Sequence, residues 1–230
     1  MNKIQASDRT IGYYNERASS FCVSTQGLDM AHLYLDFLPH IPKGGKILDA
    51  GCGSGRDAIE FKRRGYDVTA FDASSELAML AGQALGEPVQ VMTFLGLDAC
   101  DEYDGIWACA SLLHVPRNEI DLVFSRLACA LKFGAPLYAS FKYGSTEREK
   151  GGRFFNDYNE SKLHATLANH PGLSLIKIWQ TNDPRPGRQS ALWLNAIVKK
   201  TPPPSKPKNI AVQHPVIPGP VAQRPRAVDS

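Results

Sequence analysis

From residue 46 to residue 141 the chain alternates short apolar runs with amphipathic stretches. The runs at 46–50, 67–72, 88–94, 103–110 and 137–141 have the length and apolar content of strands covered on both faces. Between them, 55–64 places Ala58, Ile59 and Phe61 at apolar positions of a helix. Residues 74–85 open on Ser74 or Ser75, either of which can cap a helix. Residues 116–131 open on Pro116, which a first helical turn tolerates. This strand–helix alternation predicts an α/β fold with a parallel sheet and helices on both faces.

The flanks are less regular. Residues 10–26 carry a partly helical pattern. Residues 30–38 form a better amphipathic helix, with Leu33, Leu35, Phe37 and Leu38 available for burial, stopped by Pro39 and Pro42. Residues 142–158 are polar, charged and longer than a usual connection, which predicts a functional loop or lid. A helix over 160–169 and strands over 173–181 and 191–199 follow, split by the Pro- and Gly-containing stretch 182–188. Residues 201–230 hold eight of the 16 prolines and predict a disordered, basic tail beyond a domain of residues 1–200.

Charge narrows the picture. The net charge of +3 resides entirely in the tail, so the body is neutral and offers poor support for binding a phosphate backbone. Five cysteines (Cys22, Cys52, Cys100, Cys109 and Cys129), odd in number and without a C-x-x-C pair, predict reduced thiols in a cytoplasmic protein, with no disulfide and no metal site. Residues 1–17 lack the apolar core of a secretory signal, and no apolar run reaches membrane-spanning length.

The most specific chemistry lies at residues 47–55, Ile-Leu-Asp-Ala-Gly-Cys-Gly-Ser-Gly. Gly51, Gly53 and Gly55 punctuate a turn between strand and helix, where backbone must take positive φ or approach a ligand. The helix start that follows favours an anionic group. The spacing is G-x-G-x-G rather than the dinucleotide G-x-G-x-x-G, and Arg56 stands where the third glycine of that motif would be. Asp49 beside the loop would repel a diphosphate but attract an ammonium group. Asp72 ends the next strand, where a carboxylate can accept both hydroxyls of a ribose. The set suits a ligand with adenosine, an amine and a single carboxylate, as in S-adenosylmethionine.

These residues, with Tyr103-Asp-Gly-Ile-Trp-Ala-Cys-Ala-Ser-Leu-Leu-His-Val115, resemble the class I S-adenosylmethionine-dependent methyltransferases. Gly55-Arg56-Asp57 and Gly65-Tyr66-Asp67-Val68 are similar to the tellurite-resistance-type and small-molecule branch. The resemblance implies a Rossmann-like, doubly wound, mostly parallel seven-stranded sheet with its last strand antiparallel. It implies helices within 10–38 as a cover, with Tyr13 and Tyr14 folding over the cofactor. Asp49, Gly51, Cys52, Gly53 and Gly55 would form the loop at the methionine end. Asp72 and Ala73 would lie at the ribose, Thr93 and Phe94 at the adenine, and Cys109 and Ala110 near the sulfonium. Many relatives carry an acid where this chain has Thr93.

Methyl transfer needs a base only if the acceptor is protonated at neutral pH. His114 is a candidate for that role or for orienting the acceptor; a structural histidine is the plainer account. Tyr14 and Arg153 complete the candidate catalytic set, Arg153 as a clamp for an anionic substrate, with Arg185 and Arg188 at the same mouth. Cys109 lacks a recognisable base and reads as a core thiol, and Trp179 and Trp193 read as packing residues. The expectation is a methyltransferase acting on a small molecule, without a membrane partner. Two alternatives stay open: a tRNA or other nucleic-acid methyltransferase using the arginines and the tail, and a non-catalytic S-adenosylmethionine-binding protein. The sequence leaves the oligomeric state open.

Overall fold

The structure, a computed structural model, describes residues 6–185 and 187–202. The expected tail at 201–230 therefore lies, beyond its first two residues, outside the described residues. The chain begins with helices α1 (Ala6–Thr25) and α2 (Ala31–Phe37). It continues as β1 (Lys46–Ala50), α3 (Arg56–Arg63), β2 (Asp67–Asp72), α4 (Ser75–Leu85), β3 (Gln90–Val91), β4 (Gly105–Ala108), α5 (Arg117–Ala130) and β5 (Pro136–Lys142). A hairpin, β6 (Glu147–Lys150) and β7 (Arg153–Asn156), precedes α6 (Glu160–Ala168), β8 (Leu173–Asn182) and β9 (Leu192–Lys200).

Seven strands form one sheet in the order β3-β2-β1-β4-β5-β9-β8. Strands β1 to β5 pair in parallel, and β9 runs antiparallel to both β5 and β8. The order reverses at β1, so the carboxyl ends of β1 and β4 border a crevice, the usual ligand position in such sheets.

Alternation along each strand builds two cores. Ile47, Val68, Trp107, Tyr138 and Ile197 face α2 and α3, where they meet Tyr34, Phe37 and Phe61. Leu48, Phe71, Ile106, Leu137 and Leu194 face the other way, onto Ile120, Val123, Phe124 and Leu127 of α5. Side chains of successive strand residues point to opposite faces, so continuous apolar runs are what a sheet buried on both sides requires. Helix α4 is capped by Ser74, whose hydroxyl accepts the Leu77 N–H at 3.2 Å, and ends on Gly86 at φ 73°.

Three expectations are corrected. Residues 142–158 are not an irregular loop: they include the β6–β7 hairpin, with Arg148 opposite Phe155. The third strand is only Gln90–Val91, because the chain leaves the sheet edge for a 3₁₀ turn at Phe94–Gly96. The thiols are not all reduced: Cys100 and Cys129 form a disulfide, with Cα atoms 4.7 Å apart. The loop before β4 runs beside the end of α5, where the Asp101 N–H donates to Cys129 O at 2.8 Å and brings the two sulfurs together. The thiol argument for a reducing compartment falls with this pairing. Among the described residues, no helix is long and apolar enough to cross a membrane.

Candidate functional site

A cavity of about 360 Å³ opens over the carboxyl ends of β1, β2, β4 and β5. Its floor is the glycine loop after β1. The N–H groups of Gly51 and Cys52 both donate to Phe71 O, at 2.9 and 3.0 Å, which ties the loop to β2. Gly51 has φ 79°, and a Cβ there would sit 2.5 Å from the Ser111 Cβ. Gly53 has φ 57° and lies under the Phe21 ring of α1, where a Cβ would stand 3.0 Å from the nearest ring carbon. Both positions require glycine for conformation and for close approach.

Asp72 is bound directly to that loop. Its carboxylate accepts the Gly53 N–H at 2.8 Å and the Ser74 N–H at 2.9 Å, leaving lone pairs toward the cavity. Burial raises its pKa, and the backbone N–H groups of Ser74, Gly53 and Ala73 oppose the rise. Ala73, Thr93, Phe94, Cys109 and Ala110 also line the wall, with Gly51, Cys52 and Gly53. Ala110 holds φ 56°, an uncommon value for alanine, and its N–H donates to Ser140 Oγ at 2.8 Å. Burial pushes the Cys109 thiol up to about 12, so it stays protonated and is no nucleophile at neutral pH.

Two residues expected at the loop lie behind the wall. The Asp49 carboxylate turns to α3 and accepts the Ala58 N–H at 3.1 Å, with burial holding its pKa well above the usual range. Gly55, at φ 73°, packs against Ala81 of α4. In their place Arg56 and Asp57 reach the cavity. Asp57 accepts from Arg56 Nε at 2.7 Å, Tyr34 Oη at 2.5 Å and Trp107 Nε1 at 2.8 Å. Burial alone would raise the Asp57 pKa; these three donors outweigh it and hold the carboxylate low. The partners come from three separate elements, so only the adjacent Arg56-Asp57 pair is visible in the sequence.

Helix α1 and the hairpin roof the other end. Tyr14 Oη lies 2.9 Å from His114 Nε2, and His114 Nδ1 lies 2.6 Å from Phe154 O on β7. A carbonyl only accepts, so Nδ1 carries the proton and Nε2 accepts from the Tyr14 hydroxyl. Burial lowers the His114 pKa to about 4, and the Arg153 charge adds to the effect. Burial raises that of Tyr14, with Arg153 opposing. The Arg153 guanidinium lies 4.6 Å from the Tyr13 ring centroid and 5.1 Å from that of Phe155. Tyr13 supports Arg153 from outside the lining, whereas Tyr14, His114 and Arg153 all line the cavity.

The β8–β9 connection closes the rim. Asp183 is buried and pairs with Lys142 at 2.8 Å and with Arg185 at 2.6 Å. Burial alone would raise its pKa; the two cations outweigh it and keep the carboxylate ionised. Lys142 also stands 3.8 Å from the Trp193 ring centroid. Arg185 and Arg188 line the mouth, as expected. Trp193 lines it too, beyond the packing role read from sequence, while Trp179 lies under the Lys177 ammonium and tilts against the Tyr138 ring.

Residues 47–134 match the model of a methyltransferase domain family. The chain is 31% identical over 163 residues to a magnesium-protoporphyrin O-methyltransferase of Rhodobacter capsulatus, covering 65% of this chain and 71% of that one. Other curated methyltransferases match over only 36% and 44% of their own length. Among solved structures, the fold is similar to 1,6-didemethyltoxoflavin-N1-methyltransferase of Burkholderia thailandensis (TM-score 0.68, 23% identity, 86% of this chain and 88% of that one). It is also similar to a TehB-like methyltransferase of Corynebacterium glutamicum (TM-score 0.59, 21% identity, 83% and 98%). The chain belongs to the class I S-adenosylmethionine-dependent methyltransferases. The glycine cradle and the open lone pairs of Asp72 fit that cofactor.

Proposed function

We propose that this methyltransferase methylates a hydroxyl-bearing small molecule, with Tyr14 and His114 moving the acceptor proton. The Tyr14–His114–Phe154 hydrogen-bond chain at the roof carries this reading. His114 is neutral at pH 7, and its Nδ1–H is fixed on a carbonyl, so Nε2 is the basic atom and already accepts from the Tyr14 hydroxyl. A hydroxyl beside Tyr14 Oη passes its proton to that oxygen as Tyr14 passes its own to Nε2. A neutral hydroxyl is a poor nucleophile, and this removal is what the acceptor needs.

S-adenosylmethionine supplies an electrophilic methyl group when bound. In this reading Gly51, Cys52 and Gly53 cradle its methionine end, with Arg56 beside them. Asp72 and Ala73 take the ribose, Thr93 and Phe94 the adenine, and Cys109 and Ala110 the wall nearest the methyl group. Charge-assisted hydrogen bonds such as those Asp72 would accept from the ribose hydroxyls contribute about 1.5–3 kcal/mol each. Asp49 acts one step back, holding the start of α3. Helix α1 and the hairpin exclude water from the transfer.

A small acceptor is favoured because α1 and the hairpin roof the cavity and the body of the chain is neutral. The relatives named for a tetrapyrrole and a toxoflavin precursor support the same class of acceptor. The test is a thermal-shift titration with S-adenosylmethionine, S-adenosylhomocysteine and NAD. Either sulfur ligand at about 100 times its dissociation constant stabilises by about 2.7 kcal/mol, and NAD does not. Asp72→Ala abolishes most of the shift. A shift retained in that variant removes Asp72 from the site, and turnover of RNA but of no small hydroxyl compound overturns the acceptor class.

A further inference from the structure

Resting on that reading, we propose that the mouth of the cavity binds an oxyanionic group of the acceptor, a carboxylate or a phosphate, through Lys142 at the end of β5 and Arg185 and Arg188 in the β8–β9 connection. All three cations line the cavity. Lys142 and Arg185 are fixed within reach of one ligand, because both bond the same atom. Asp183 Oδ2 accepts from Lys142 Nζ at 2.8 Å and from Arg185 Nη2 at 2.6 Å, and Asp183 Oδ1 accepts from Arg185 Nε at 2.8 Å. The Asp183 side chain is fully enclosed, so it braces the two cations from behind, while they stay 17% and 21% exposed. Arg185 Nη1 and the rest of the Lys142 ammonium remain as donors for a ligand. Arg188 follows in the same turn, its N–H donating to Arg185 O at 3.1 Å. Its side chain is exposed and, among the described residues, has no ion-pair partner. Three cations around one carboxylate leave the mouth with a surplus of positive charge.

The side chains register that surplus. Burial lowers the Lys142 pKa; Asp183 opposes the fall, and the charges of Arg185 and Arg188 add to it. An anion at the mouth would offset both effects. Hydrogen bonding to Asp183 raises the Arg185 pKa, and Tyr14 adds to the rise. The Arg185 guanidinium therefore lies within electrostatic reach of the hydroxyl proposed to receive the acceptor proton. Arg153, the clamp expected from sequence, is engaged elsewhere: it hydrogen-bonds Tyr14 and lies against the rings of Tyr13 and Phe155.

Strand geometry sets the size of the acceptor. Ser140 and Lys142 stand on one face of β5 and both line the cavity. Ser140 holds the Ala110 N–H, on the wall assigned to the methyl group. Two residues of strand span about 7 Å, which leaves room for one aromatic ring between a reacting hydroxyl and the anion. Asn195 and Trp193, opposite Ser140 and Lys142 on β9, line the same stretch.

The test is calorimetry at low ionic strength on protein loaded with S-adenosylhomocysteine. The probes are 4-hydroxybenzoate, 4-hydroxyphenyl phosphate and the uncharged 4-hydroxybenzamide. At least one anion binds about tenfold more tightly than the amide, and whichever binds better identifies the group. Arg188→Gln, at an exposed side chain with no protein partner to lose, weakens anion binding several-fold and leaves the amide unchanged. Lys142→Gln combined with Arg188→Gln removes the preference while S-adenosylhomocysteine still loads, since Asp183 keeps Arg185. Equal binding of the amide, no saturable binding of either anion, or a preference that is undiminished in Arg188→Gln overturns the proposal. Failure of S-adenosylhomocysteine to load the wild type would instead strike the cofactor reading on which it rests.

Discussion

The Tyr14 hydroxyl lies 2.9 Å from Nε2 of His114 and joins the roof helix α1 to the turn after β4. If the pair moves a proton, either partner is needed for turnover but not for holding the cofactor. Tyr14→Phe and His114→Gln are expected to lower kcat by about 10²- to 10⁴-fold, the usual contribution of a positioned acid or base. S-adenosylhomocysteine affinity, read by calorimetry, should change little. Equal losses in affinity and turnover would mean that the pair only supports the roof.

His114 also predicts how stability responds to acid. Its pKa falls from an ordinary 6.5 to about 4 in the folded chain, through burial first and Arg153 second. Within that window the unfolded chain binds a proton that the folded chain does not. Stability from this residue is therefore undiminished above 6.5 and falls as pH drops toward 4, with a slope of at most about 1.4 kcal/mol per pH unit. Asp49 and Asp72, whose pKa values are raised, act in the opposite sense, so the wild type alone does not isolate the effect. Urea unfolding of wild type and His114→Gln at pH 7 and pH 5 does: the difference between them should narrow at pH 5. Parallel curves at both pH values would contradict the buried neutral imidazole.

The sequence made the donor side legible because its parts are contiguous. Strand, glycine turn, helix and Asp72 all lie between residues 46 and 72, and each signal is local in φ, period or charge. The roof was not legible in the same way. Tyr14 and His114 are 100 residues apart, and nothing near either one names the other. The hairpin was hidden because Glu147–Lys150 is a charged, largely exposed strand with no apolar alternation. Asp49 misled for a related reason. Spacing places it beside the loop but does not say that its carboxylate turns toward the start of α3.

Asp57 is the joint between the cavity and the aromatic core behind it, bonded to Arg56, Tyr34 and Trp107. Asp57→Ala leaves a largely buried arginine without its counter-charge. Breaking such a pair costs about 3–5 kcal/mol, far more than an exposed pair would. Asp57→Asn keeps an acceptor for only one of Tyr34 Oη and Trp107 Nε1, which bond different carboxylate oxygens, and should still lose less than the alanine. Both losses can be read by denaturant titration with tryptophan fluorescence, and cofactor affinity should fall with them as Arg56 loses its fixed position. A change below about 1 kcal/mol in Asp57→Ala would show that the buried cation finds another partner.

The Cys100–Cys129 bridge ties the segment after Phe94–Gly96 to the end of α5, and both cysteines are exposed. Met92, Thr93, Phe94 and Leu95 at the start of that segment line the cavity, so the bridge anchors the expected adenine wall from outside. Closing a loop across a separation of 29 residues stabilises a folded chain by about 3.6 kcal/mol, through the entropy of the unfolded chain. Reductant should therefore lower the unfolding midpoint, and the double variant Cys100→Ser, Cys129→Ser should match the reduced wild type. Thiol titration of unfolded, unreduced protein is expected to find Cys22, Cys52 and Cys109 and no others. Five reactive thiols after air oxidation would remove the bridge. A bridge that forms but leaves S-adenosylhomocysteine affinity unchanged on reduction would confine it to stability, because the wall at Thr93 and Phe94 would then be held by its own contacts.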